Sequence, residues 1–130
     1  MKNKKTIFIM LLLISVFASF TIAAKTMINF GTSYISVSGD TIKGTGYTAS
    51  DTQATWLAVR CSLMVPGYST AVDSSTKSAE NTKGPIYAYV YASRSVHLGE
   101  KMYTTCTHWV AINQVPQPVW TTRSATITIK

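Results

Sequence analysis

Cys106 and His108 stand two residues apart in "MYTTCTHWV", residues 102–110; Cys61 and His97 complete the chain's thiols and imidazoles. Three chemistries fit such residues: a thiol nucleophile beside its base, a zinc site, or a disulfide. A Cys–His pair works only when the two side chains are within hydrogen-bonding reach. On a strand, residues i and i+2 have backbones about 7 Å apart, which opposes direct pairing. Zinc could draw on Cys61, Cys106, His108 and His97, a permitted donor set, but the paired C-x2-C or H-x3-H spacing is absent. The disulfide asks least of the local sequence, provided that both cysteines meet in the interior.

The elements around them set that geometry. In residues 101–113, alternation puts Met102, Thr104, Cys106, His108, Val110 and Ile112 on one face, with Tyr103, Thr105, Thr107 and Trp109 on the other. In residues 55–65 the aliphatic face is Leu57, Val59, Cys61, Leu63 and Val65. Both cysteines therefore sit mid-strand on core-facing sides. A bridge closing a loop of sequence separation 45 would stabilise the fold by about 4 kcal/mol in the chain-entropy account. On this reading His108 is a core-edge histidine, hydrogen-bonded across the sheet.

The remaining chain reads as strands and turns, rich in Thr, Ser, Val, Ile and Tyr and without helical periodicity. Residues 34–37 and 41–47 flank Ser38-Gly39-Asp40, a tight hairpin connection. "GTGYT", residues 44–48, opens no helix, so it is expected to be strand with a bulge. The polar tract 69–84 has few aliphatics and belongs at a sheet edge or in a mobile loop, with short strands near 70–73 and 76–79. Strands at 85–92, 101–113 and 119–129 finish the chain. About seven sequential strands predict an all-β antiparallel sandwich.

Lys2, Lys4 and Lys5, the apolar run 7–20 and the small residues of "TIAAK" have the three-part pattern of a secretory signal peptide, with cleavage expected after Ala23 or Ala24 and an uncleaved membrane anchor as the alternative. Residues 1–24 are thus signal, 25–32 a lead-in and 33–130 one domain. The chain's net charge of +7 falls to +4 without the signal, and the remaining basic residues form no run. That argues against a nucleic-acid partner, leaves the membrane as a partner only through the signal peptide, and allows weak attraction to anionic walls. No cofactor is expected: the five acids are scattered, and neither a phosphate-binding glycine loop nor a G-x-S-x-G elbow occurs.

Aromatic residues supply the other candidate chemistry. In "PIYAYVYA", residues 85–92, Ile86, Ala88, Val90 and Ala92 share one face, and Tyr87, Tyr89 and Tyr91 share the other. Trp56 lies opposite Leu57 and Val59, Trp109 opposite Cys106, and Trp120 opposite Ile127 and Ile129 provided that no bulge intervenes. Tyr87, Tyr89, Tyr91 and Trp109 are therefore a candidate binding face, because exposed rings stack on sugars or partner side chains. Ordinary cross-strand packing, or burial under the polar tract, is the competing account.

The hairpin "ISVSGDTIKGTGYT", the 85–92 strand and "YTTCTHWV" together resemble the small exported immunoglobulin-like β-sandwich proteins of Gram-positive bacteria, over most of residues 33–129. The resemblance implies that fold and an extracellular location, and no catalytic residues. The expected function is non-enzymatic binding of a cell-wall polymer or surface protein. A secreted antimicrobial or toxin-like effector acting on membranes, and a small extracellular hydrolase, are the alternatives.

Overall fold

The computed structural model describes residues 28–130, so the signal-like segment and its cleavage position lie outside the described residues. The strands are β1 (Asn29–Ser38), β2 (Thr41–Ser50), β3 (Ala54–Met64), β4 (Asp73–Thr82), β5 (Ile86–Ser93), β6 (Lys101–Ile112), β7 (Val115–Pro116), β8 (Trp120–Arg123) and β9 (Ile127–Thr128). All pairings are antiparallel. One sheet runs β1-β2-β5; the other runs β4-β3-β6, with β7, β8 and β9 in turn along the far side of β6. Their inner faces close over Ile42, Leu57, Val59, Leu63, Ile86, Val90, Met102, Val110, Ile112 and Ile129. This is the expected antiparallel β-sandwich.

Strict alternation in β6 follows from burial on one side only: Met102, Thr104, Cys106, His108, Val110 and Ile112 are all buried. Gly39-Asp40 is the two-residue loop of the β1–β2 hairpin, and Gly39 takes the positive φ (58°) that such a loop demands of its first residue. Asp40 ties this turn to the end of β5, accepting hydrogen bonds from Ser93 Oγ (2.8 Å) and the Ser95 amide (2.8 Å). Those bonds, the Ser93 hydroxyl foremost, hold its carboxyl below the ordinary carboxylate range.

Several expectations need correction. β1 begins at Asn29, inside the stretch taken as a lead-in. The polar tract yields one ten-residue strand, β4, where two short ones were expected. It needs little apolar surface because it pairs along β3 from Ala54 to Leu63 and lies at the sheet edge, helped by a Ser62–Ser74 hydroxyl bond of 2.8 Å. "GTGYT" contains no bulge: β2 keeps continuous register with both β1 and β5. Its glycines answer a different demand, the space needed by β6. A Cβ at Gly46 would overlap both sulfurs of the disulfide, and one at Gly44 would overlap Thr104 Oγ1.

The terminal strand is broken. Pairing with β6 slips by one residue between β7 and β8, and again between β8 and β9. Since side chains alternate with period two, a one-residue slip turns a strand over. Trp120 consequently faces inward beside Ile127, where it was expected to face outward.

Candidate binding face

Of the residues first considered for chemistry, Cys61, Cys106 and His108 are sealed inside. Cys61 and Cys106 are directly opposed on β3 and β6, bonded as a disulfide with Cα atoms 4.1 Å apart. The bridge joins neighbouring strands of one sheet and leaves neither sulfur available as nucleophile or metal ligand. Such bonds persist in oxidising compartments. His97 lies in the β5–β6 loop, its Nδ1 2.7 Å from Glu100 Oε2. It is remote from His108, which is fully buried.

His108 has both ring nitrogens engaged. Thr48 Oγ1 donates its only proton to the Ala58 carbonyl (3.1 Å), so its contact with His108 Nδ1 (2.8 Å) must run from ring to hydroxyl. Nε2 then accepts from Thr122 Oγ1 (2.7 Å), and the ring stacks on Trp120 with centroids 4.9 Å apart. Burial pulls the imidazole pKa down from 6.5 to about 4, opposed in part by a hydrogen bond to the Tyr47 backbone. The ring is neutral at pH 7, and a Cβ at Gly31 would come within 2.7 Å of its Nδ1. As expected it is a structural histidine, although it lies deeper than the core edge and reaches both sheets.

The tyrosines occupy the outer face of the β1-β2-β5 sheet. Tyr87, Tyr89 and Tyr91 are 42%, 40% and 49% exposed. They project from β5 because Ile86, Ala88 and Val90 take the inner side. β4 belongs to the other sheet and leaves the rings uncovered; its Asp73 carboxylate accepts from the Tyr91 amide at the border (2.8 Å).

Two further rings extend the face. Tyr47 on β2 lies opposite Tyr87, centroids 5.8 Å apart, and Tyr34 on β1 lies 6.5 Å beyond Tyr47. Tyr87 and Tyr89 are parallel at 6.2 Å. Four of the seven tyrosines thus form one L, crossing three strands and turning down β5, and Tyr91 follows on the same face of that strand. The hairpin contained a signal for the two added rings, since a two-residue turn at 39–40 puts Tyr34 and Tyr47 on the same side.

Lys43 places its ammonium 4.3 Å from the Tyr89 ring centre. It is the one charged side chain among the outward residues of the three strands. The Tyr34 hydroxyl is held above the ordinary phenol range, first by desolvation and then by its Tyr47 and Tyr87 neighbours. The face is therefore flat, aromatic and neutral except for one cation.

Trp109, expected with the tyrosines, lies on the other side of the molecule. It projects outward from β6, opposite Ala58 on β3, and so belongs to the outer face of the second sheet. Trp56 shares that face, beside a shallow groove of 420 Å³ that includes Glu80, Asn81 and Gln114. Among the described residues, no three His, Cys, Asp or Glu side chains are grouped to hold a metal ion. No protein-family model, curated protein or solved structure matches the chain.

Proposed function

We propose that the protein is an exported, immunoglobulin-like β-sandwich that binds a polysaccharide of the cell envelope through the tyrosine face of the β1-β2-β5 sheet. The observation that carries this reading is the row Tyr34-Tyr47-Tyr87-Tyr89, with ring spacings near 6 Å, followed on the same face of β5 by Tyr91, four of these five residues being at least 40% exposed. Rings in such a row offer apolar area and hydroxyl rims to a ligand at small entropic cost, because they are held by their neighbours. Lys43 adds a preference for neutral or anionic polymers over cationic ones. Export is supported by the N-terminal pattern and by the disulfide.

The test is co-sedimentation of the oxidised protein with purified cell walls and with anionic vesicles, at low and high salt. Retention on walls that persists at high salt is expected, because ring stacking is not screened. Retention that disappears with salt would reduce the interaction to charge. Retention on vesicles alone would favour the membrane-active reading.

A further inference from the structure

We propose that the groove beside the Asn113-Gln114 turn, on the outer face of the β4-β3-β6 sheet, binds a single uncharged hexopyranose, with Trp56 as its stacking platform. The site starts from one cross-strand row: Glu80 on β4 and Ala111 on β6 are the direct partners of Trp56 on β3. Ala111 is too small to fill the space between the indole and the turn, and the groove of 420 Å³ includes it. That volume lies within the usual range of small-ligand clefts, about 300–1,000 Å³. Trp56 is 39% exposed, so its ring is open to a ligand. Three polar side chains stand around it with unused hydrogen-bonding capacity. Among the described residues, the Glu80 carboxylate makes no hydrogen bond or ion pair, and Asn81 and Gln114 are engaged only through their backbones.

A second observation marks the same place. Among the described residues, the non-glycine residues with positive φ are Asn81 (50°), Asn113 (49°) and Gln114 (64°); two line this groove and the third completes its turn. Backbones held in that region are costly and gather at binding sites. Gln114 is the sharpest case, because the second position of such a two-residue loop favours glycine and here carries an amide that lines the groove. The Thr55 hydroxyl fixes it there, accepting from the Gln114 backbone N–H (3.0 Å) and donating to the Ala111 carbonyl (3.0 Å). The ligand class follows from these groups. A flat ring packs on the C–H face of a sugar, a carboxylate accepts from hydroxyls, and a primary amide both donates and accepts. The unpaired Glu80 carboxylate repels an anionic sugar. A quaternary ammonium asks for a cage of several rings, and this groove has one. The tyrosine row lies on the other sheet, so the two sites are separate.

Amide NMR of the oxidised protein, titrated separately with glucose, galactose and mannose, tests the site. At least one hexose should shift the Trp56 indole N–H and the Asn81 and Gln114 side-chain amides, with a dissociation constant of about 1 mM for so few contacts. A site this weak would add little to retention on cell walls. The matching uronate should bind about tenfold more weakly, and Glu80→Gln should reduce that discrimination to about twofold with the rest of the spectrum unchanged. Trp56→Ala should abolish the shifts, and Tyr89→Ala should leave them intact. The inference is overturned if none of the three hexoses shifts these signals at millimolar concentration, or if hexose and uronate bind equally. Shifts confined to the tyrosine face also overturn it, as does tighter binding of tetramethylammonium, which would make this a cation site.

Discussion

The two faces of the β1-β2-β5 sheet differ more than the two sheets do. Its inner side is stripped down: Gly31, Gly44 and Gly46 stand where any Cβ would strike His108, Thr104 or the disulfide of β6. Its outer side is loaded with five tyrosines that the fold does not need to bury. Small residues within let the sheets approach closely, and large residues without remain at the surface. Inner substitutions should therefore change stability and outer ones binding. Each prediction below probes that division.

The largest effect belongs to the disulfide. Cys61→Ser with Cys106→Ser should lower unfolding stability by about 4 kcal/mol, read as a lower urea midpoint. Acid should cost nearly as much. The folded state holds His108 neutral with a pKa of about 4 against an ordinary 6.5, so between those values the unfolded chain binds a proton that the folded chain does not. This stability is fully present above pH 6.5 and is lost as pH falls to 4, a change of about 3 kcal/mol that His108→Gln should flatten.

Gly46→Ala, whose added methyl meets both sulfurs, should destabilise by about 2 kcal/mol through overpacking. Its neighbour Thr45 points outward, and Thr45→Ala should change stability by about 0.5 kcal/mol or less. Tyr89→Ala removes a much larger outward side chain and should still cost at most about 1 kcal/mol, from lost cross-strand packing. Equal destabilisation by Gly46→Ala and Tyr89→Ala in urea titrations would erase the distinction between the faces.

Much of this was legible in the sequence. The alternation of residues 101–113 identified the inner row of β6, and Gly39-Asp40 marked the β1–β2 hairpin. Two core-facing cysteines in different strands of a chain with an export pattern pointed to the bridge, though not to its joining neighbouring strands of one sheet. Trp109 shows the limit: alternation tells which side of its own strand a residue takes, but the sheet it joins depends on long-range pairing. Trp120 shows another, since a one-residue slip that no local signal announces reversed its face. Gly44 and Gly46 read as a bulge because the groups that exclude a side chain there, Thr104 and the two sulfurs, are supplied by strands far along the chain. In β4 a polar composition concealed a long strand, because β3 offers a full ladder of partners that alternation in the tract itself does not reveal.

The most direct measurement compares Tyr89→Ala and Trp109→Ala in high-salt sedimentation with cell walls, each variant first shown to be folded. The two aromatics lie on opposite outer faces, so the pair separates the tyrosine row from general aromatic stickiness. Loss of about tenfold or more in affinity for Tyr89→Ala, with Trp109→Ala retained like wild type, is the predicted result. Equal retention of both variants, or loss only in Trp109→Ala, would contradict the assignment of binding to the β1-β2-β5 face.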